Sequence, residues 1–127
     1  MQWKTDWNGT DIYSPADAER LFSNYNELKE LLISVAGFVL DFTLPEITGY
    51  ATIFADDELN EIEAALHQLR VWDVDWLPPP PPWVAGGNVP SFEDINRWEQ
   101  NAQTIERIVQ LVAVSFFYSG EVFSGEI

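Results

Sequence analysis

An all-α domain of three helices, built from pseudo-repeats, is predicted by three observations. Residues 14–36 and 91–113 carry apolar side chains at alternating steps of three and four, the seam of an amphipathic helix that packs on other helices. The two stretches repeat each other at a shift of 77, which lays Ser14, Asp17, Arg20, Asn24 and Ala36 on Ser91, Asp94, Arg97, Asn101 and Ala113. Each is also preceded by the pentad W-x-x-D-W, as Trp3-Lys-Thr-Asp-Trp7 and as Trp72-Asp-Val-Asp-Trp76.

The first unit spans residues 3–42. Ser14 is the N-cap, Pro15 takes the first helical position, and Asp17 stands where a capping box needs its acceptor. Ala18, Leu21, Tyr25, Leu28, Leu32, Val35 and Val39 form the seam. Pro45 disfavours helix at the residue before it, so this helix is expected to reach about Phe42. The reading of residues 37–54 stays open, because Leu40, Phe42 and Leu44 also alternate as in a strand.

Residues 43–71 hold a linker and a shorter helix over about 56–71. Asp57-Glu-Leu-Asn-Glu-Ile-Glu63 resembles Glu93-Asp-Ile-Asn-Arg-Trp-Glu99 at a shift of 36, with Glu61 in place of the arginine. Leu59, Ile62, Leu66 and Leu69 continue the three-four steps.

Residues 72–118 make the second unit. Its connector from pentad to helix is eight residues longer than the first. Pro78 to Pro82 within it predict polyproline II, which extends about 3.1 Å per residue and acts as a rigid spacer. Trp83 and Gly86-Gly87 then let the chain turn back. Ser91 and Asp94 repeat the capping box, and Ile95, Trp98, Ala102, Ile105, Val109, Val112 and Phe116 repeat the seam. Residues 119–127, SGEVFSGEI, read as an extended tail. Apolar side chains at a free end cost about 25 cal/mol per Å² left in water, so the tail is expected to contact another chain.

Composition narrows the function. Hydrophobic residues make up 46% of the 127 positions, enough for the core of one domain. The net charge of −15 suits neither nucleic acid nor an anionic membrane, whose phosphates call for Lys and Arg. It also repels like copies at low salt, so self-association is expected to strengthen as salt screens it. The chain has no cysteine, hence no disulfide and no thiolate metal site. No basic-then-apolar leader opens the sequence, and the longest apolar run, Leu31 to Leu40, is broken by Ser34 and Gly37. The expectation is a soluble domain made inside the cell.

The pentads admit two readings. Each can fold back over the first turn of its own helix as an enlarged hydrophobic staple, or present an aromatic platform to a sugar or a partner protein. Arg20 and Arg97 share a repeat position, which points to a common task such as a fork on a carboxylate or carbonyl. The residues singled out for partner contact are Trp3, Trp7, Arg20, Trp72, Trp76, Trp83, Arg97 and Phe123. His67 is the sole histidine and has no nucleophile setting beside it. Asp73 with Asp75, and Asp56-Asp-Glu58, lack the glycine and closing glutamate of a calcium loop, so no metal or cofactor is expected.

The stretch Phe92-Glu-Asp-Ile-Asn-Arg-Trp-Glu-Gln-Asn101 resembles a module of tailed-phage (prophage) tail and baseplate-region structural proteins. In that module a DW or DWxxxD stretch precedes a helix opening D-x-N-R-x-E-x-N. Asp94, Asn96, Arg97, Glu99 and Asn101 match it, with Trp72 and Asp75-Trp76 ahead of them. In the first copy Asp6-Trp7, Asp11, Asp17, Arg20 and Asn24 match, while Glu19 stands where asparagine is expected. The resemblance implies a non-enzymatic assembly protein of the virion, synthesised in the bacterial host cytoplasm. Its implied partners are phage structural subunits or its own copies, with no nucleic acid and no membrane. The alternative is a carbohydrate-binding module that turns tryptophans and carboxylates toward bacterial surface glycans.

Overall fold

A computed structural model of the chain describes residues 1–47, 49, 55–84, 87 and 89–126, with side chains in the last helix described through Val114. It has three helices, α1 (Pro15–Ala36), α2 (Asp56–Leu69) and α3 (Phe92–Glu126), and no strand among the described residues. The all-α, three-helix class is as expected.

The start signals operate as the sequence implies. The Ser14 backbone N–H donates to Asp17 at 2.9 Å while the Asp17 N–H donates to the Ser14 hydroxyl, closing a capping box around Pro15. Ser91 and Asp94 make the same reciprocal pair at the start of α3. By contrast α2 starts from Ala55 with no side-chain cap, and three acidic residues of its first turn, Asp56, Asp57 and Glu58, meet the positive end of the helix dipole instead.

Two boundaries differ from expectation. The first helix stops at Ala36, not near Phe42: Gly37 adopts φ 74, and its N–H and that of Phe38 both return to the Leu32 carbonyl. A glycine in left-handed geometry ends a helix before a distant proline can. Residues 37–47 carry no helix or strand, and positions 48 and 50–54 lie outside the described residues. At the other end, residues 119–126 continue α3 rather than forming an extended tail. Gly120 and Gly125 weaken a helix by about 1 kcal/mol each but remove no N–H, as a proline would.

The helices all start at the same end of the domain. The first strap, residues 1–13, runs back along α3, with Trp3 at Glu106, Lys4 at Glu99 and Trp7 at Asn96, before the chain turns at Asn8–Asp11 into α1. The strap after α2 likewise runs back to Trp83, bonded to Asn60 in an early turn of α2, and then enters α3. Each strap thus returns the chain to the starting end. Leu21, Tyr25, Leu28 and Leu32 of α1 meet Ile62, Leu66 and Leu69 of α2 and Trp98, Ile105 and Val109 of α3 in one buried cluster. Each buried leucine contributes roughly 2 kcal/mol.

Candidate functional site

The matching motif lies on the first three turns of α3, where its polar residues divide between two faces. Asn96, Glu99 and Gln100, three and four residues apart, face the first strap; Arg97 and Asn101 face α2 and the strap that follows it.

Glu99 is fully buried. Its carboxylate accepts from the Lys4 backbone N–H at 2.8 Å, from the Trp7 indole N–H, and from the Arg20 guanidinium at 2.6 Å. Three donors, one of them charged, make the burial of this carboxylate tolerable. The same hydrogen bond holds the Arg20 guanidinium above its ordinary pKa. Arg20 also donates to the Gln2 carbonyl at 2.8 Å, so it ties the strap as well as the helix.

Arg97 forks onto Glu63 of α2 through both terminal nitrogens, and Glu63 also accepts the Trp98 indole N–H. Glu63 and Glu99 are counterparts at the shift of 36. In both places an arginine of one helix and an indole N–H converge on a glutamate of another, so Arg20 on α1 holds α3 and Arg97 on α3 holds α2. The fork expected for the two arginines is present at Arg97 alone, because Arg20 reaches Glu99 and the Gln2 carbonyl through Nη1 only. The series stops at α2, where Glu61 replaces the arginine, and at α1, where Phe22 stands in the glutamate position.

Three asparagines complete the arrangement. Asn96 accepts from the Trp7 N–H at 2.7 Å and donates to the Trp7 carbonyl at 2.9 Å. Asn101 does the same for Leu77 at 3.0 and 3.0 Å, and Asn60 for Trp83 at 2.9 and 2.9 Å. One carboxamide has the donor and acceptor needed to satisfy both backbone groups of a residue, as a β-ladder neighbour would. Extended straps can therefore lie between helices with no sheet to join. The proline run bridges two such clamps, from Leu77 on α3 to Trp83 on α2, in keeping with a spacer.

Sequence reasoning named Asn96, Glu99 and Asn101 only as matches to the repeats or the module and gave no role to Asn60 or Glu63. The signal was present, because Asn60 with Asn96, and Glu63 with Glu99, coincide at the shift of 36.

The first pentad lies on α3, not on its own helix. Trp3 donates its indole N–H to Glu106 at 3.0 Å and Trp7 donates to Glu99, two acceptors seven helical residues apart. Seven helical residues rise about 10.5 Å and four extended ones span about 13 Å, so indoles four apart on a strap reach acceptors two turns apart. In the second pentad Trp72 stacks edge-on against Phe38 at 5.5 Å, and Trp76 lies beneath Arg70 at 5.5 Å. The pentads therefore share a spacing without sharing surroundings. A strap that runs back between parallel helices meets whichever helix flanks it.

Among the residues singled out for contact, Trp7, Trp83 and Arg97 are buried and serve the domain itself. Trp3, Trp72 and Trp76 are half-buried and pack against the core. Arg20 is half-buried; its Nη1 bonds Glu99 and the Gln2 carbonyl, while its Nη2 is buried without a hydrogen-bond partner among the described residues. The Trp83 indole nitrogen is buried without a hydrogen-bond partner among the described residues; positions 85, 86 and 88 beside it lie outside them. Phe123 lies on the helical backbone of α3, beyond the described side chains.

Burial raises the pKa of Tyr13 and Tyr25, and the nearby charge of Glu99 or Glu63 adds to the shift. His67 is exposed on α2. Among the described residues no group of three or more His, Cys, Asp or Glu side chains is placed to hold a metal ion, and no helix is long and apolar enough to cross a membrane.

No protein-family model, no curated protein and no solved structure matches the chain. The class to which the fold assigns it is the all-α, three-helix one.

Proposed function

We propose that the chain is a non-enzymatic assembly protein, a rigid three-helix body that contacts other subunits in the tail or baseplate region of a phage or prophage particle. What supports this reading is how the motif residues are used. Asn96, Arg97, Glu99 and Asn101 all hold straps and helices in place, with their hydrogen-bonding groups turned inward. Such a motif specifies a shape, and its likeness to the tail and baseplate-region module is a likeness of scaffolds. The carbohydrate reading requires indole faces in water, whereas the five strap tryptophans are buried or half-buried.

The test is compositional. Tailed particles induced from a host that encodes the chain are purified by density, and their proteins are identified by mass spectrometry. The chain is expected at fixed stoichiometry to the tail proteins. Complete, infectious particles that lack it overturn the proposal.

A further inference from the structure

The last helix is too long for the bundle. Tyr25 of α1 donates its hydroxyl to the Trp98 carbonyl at 2.7 Å. A helical side chain leans toward its own N-terminus, which places the Tyr25 backbone level with about Ala102, its repeat counterpart. By the same register Ala36, where α1 ends, is level with about Ala113. The helix nevertheless continues to Glu126. At 1.5 Å per residue, residues 113–126 carry it about 20 Å past the end of α1. Burial follows the same limit: Val109 is 1% exposed, but Leu111 is 67% and Val114 51% exposed. Ile33 and Val39, at the end of the bundle where α3 emerges, are exposed as well.

Charge is divided along the same line. Residues 1–107 contain 19 of the 21 acidic residues and all six basic ones, whereas positions 108–120, IVQLVAVSFFYSG, contain none. From the long helix and this separation of charge, we infer that the projecting end of α3 is a self-association surface whose occupant is the same segment of a second copy, packed antiparallel. A heterologous partner of opposite charge would be drawn to the acidic body, not to an apolar helix whose two carboxylates, Glu121 and Glu126, lie near its tip. Two like-charged copies, in turn, can approach only where the charge is absent. Antiparallel pairing holds the two bodies at opposite ends of the joint, beyond the Debye length of about 8 Å at physiological salt; parallel pairing would set them side by side. A two-fold contact of this kind uses one patch twice and closes on itself. The inference rests on the assembly reading for its purpose and on the helix for its surface.

The experiment uses the full chain. Sedimentation equilibrium at about 0.01 M and 0.15 M salt should show association strengthening as the Debye length falls from about 30 to 8 Å. Small-angle scattering of the dimer should give a maximum dimension of about 85 Å, two 35-residue helices overlapped by their projecting ends. The double variant Leu111→Glu/Val114→Glu should be monomeric, and should unfold at the same temperature as the parent at concentrations where the parent is itself monomeric. Ile12→Glu, on an exposed residue at the starting end, should dimerise as the parent does. A parent that stays monomeric at both salts, a double variant that still dimerises, or a dimer little longer than one chain overturns the inference. A chain found in tail particles but monomeric alone retains the assembly reading and overturns this one.

Discussion

Arg20 and Glu99, 79 positions apart, meet at 2.6 Å, and the two ends of the pair differ in exposure: the arginine side chain is 25% exposed and the glutamate 1%. That asymmetry decides which substitution does more damage. Arg20→Met leaves a buried carboxylate without its counter-charge and should cost about 3–5 kcal/mol. Glu99→Gln keeps one acceptor oxygen, so either Lys4 or Trp7 loses its partner, and it leaves the charge on a residue that water can reach; about 2 kcal/mol is expected. Urea unfolding of both variants measures the difference. Equal costs would show that the carboxylate is not the trapped partner.

The asparagine clamps predict an unusual response to pH. Asn101→Asp keeps the shape, loses the donor to the Leu77 carbonyl, and places a charge at a site only 2% exposed. A loss of about 2–3 kcal/mol at pH 7 is expected. Burial beside a carbonyl raises the folded-state pKa of the new carboxyl above the ordinary 3.9 or so, because only its protonated form can donate. Its neutral form is therefore the stabilising one, and the variant should recover stability relative to the parent as pH falls from 7 toward about 4. Chemical denaturation at a series of pH values reads this directly, and a pH-independent difference would count against the clamp.

The helices were legible because their signals are local. Ser14, Pro15 and Asp17 act within one turn, and the three-four seam needs only its own helix. The straps were not legible in the same way, since the partner of Trp7 is 89 residues away at Asn96 and depends on the direction in which each helix returns. Parallel helices with long returns are set by long-range packing, which no pentad encodes. The end of α1 is a different case. Gly37 was visible, but Pro45 offered itself as the stop, and a positive φ can be seen only in the fold.

Two tyrosines should report the core in alkali. Burial raises the phenol pKa of Tyr13 and Tyr25, so each is neutral in the folded chain at a pH where the unfolded chain has begun to ionise. Their contribution is fully present below the ordinary value of about 10 and is lost as pH rises through the folded values. Stability should fall by up to about 1.4 kcal/mol per pH unit per tyrosine above pH 10. Absorbance near the phenolate band should show both withheld from titration until the circular dichroism signal collapses. Phenylalanine at both positions should flatten the alkaline limb, and a limb that is unaltered would place its origin elsewhere.

Gly37 should be costly to replace for conformational reasons alone. At φ 74 it sits where an L side chain crowds its own carbonyl, yet a Cβ built there meets no atom within 4 Å. The penalty of Gly37→Ala is thus backbone strain without a clash, about 1 kcal/mol, and Gly37→Asn should recover part of it because asparagine tolerates this region. Gly9→Ala offers the control: its Cβ also meets nothing within 4 Å, but its φ is not positive. It should be neutral, or slightly stabilising through the unfolded state. If Gly37→Ala and Gly9→Ala unfold at the same temperature, the left-handed cap is not what stops α1. The first helix would then be free to run on toward Phe42, the limit set by Pro45.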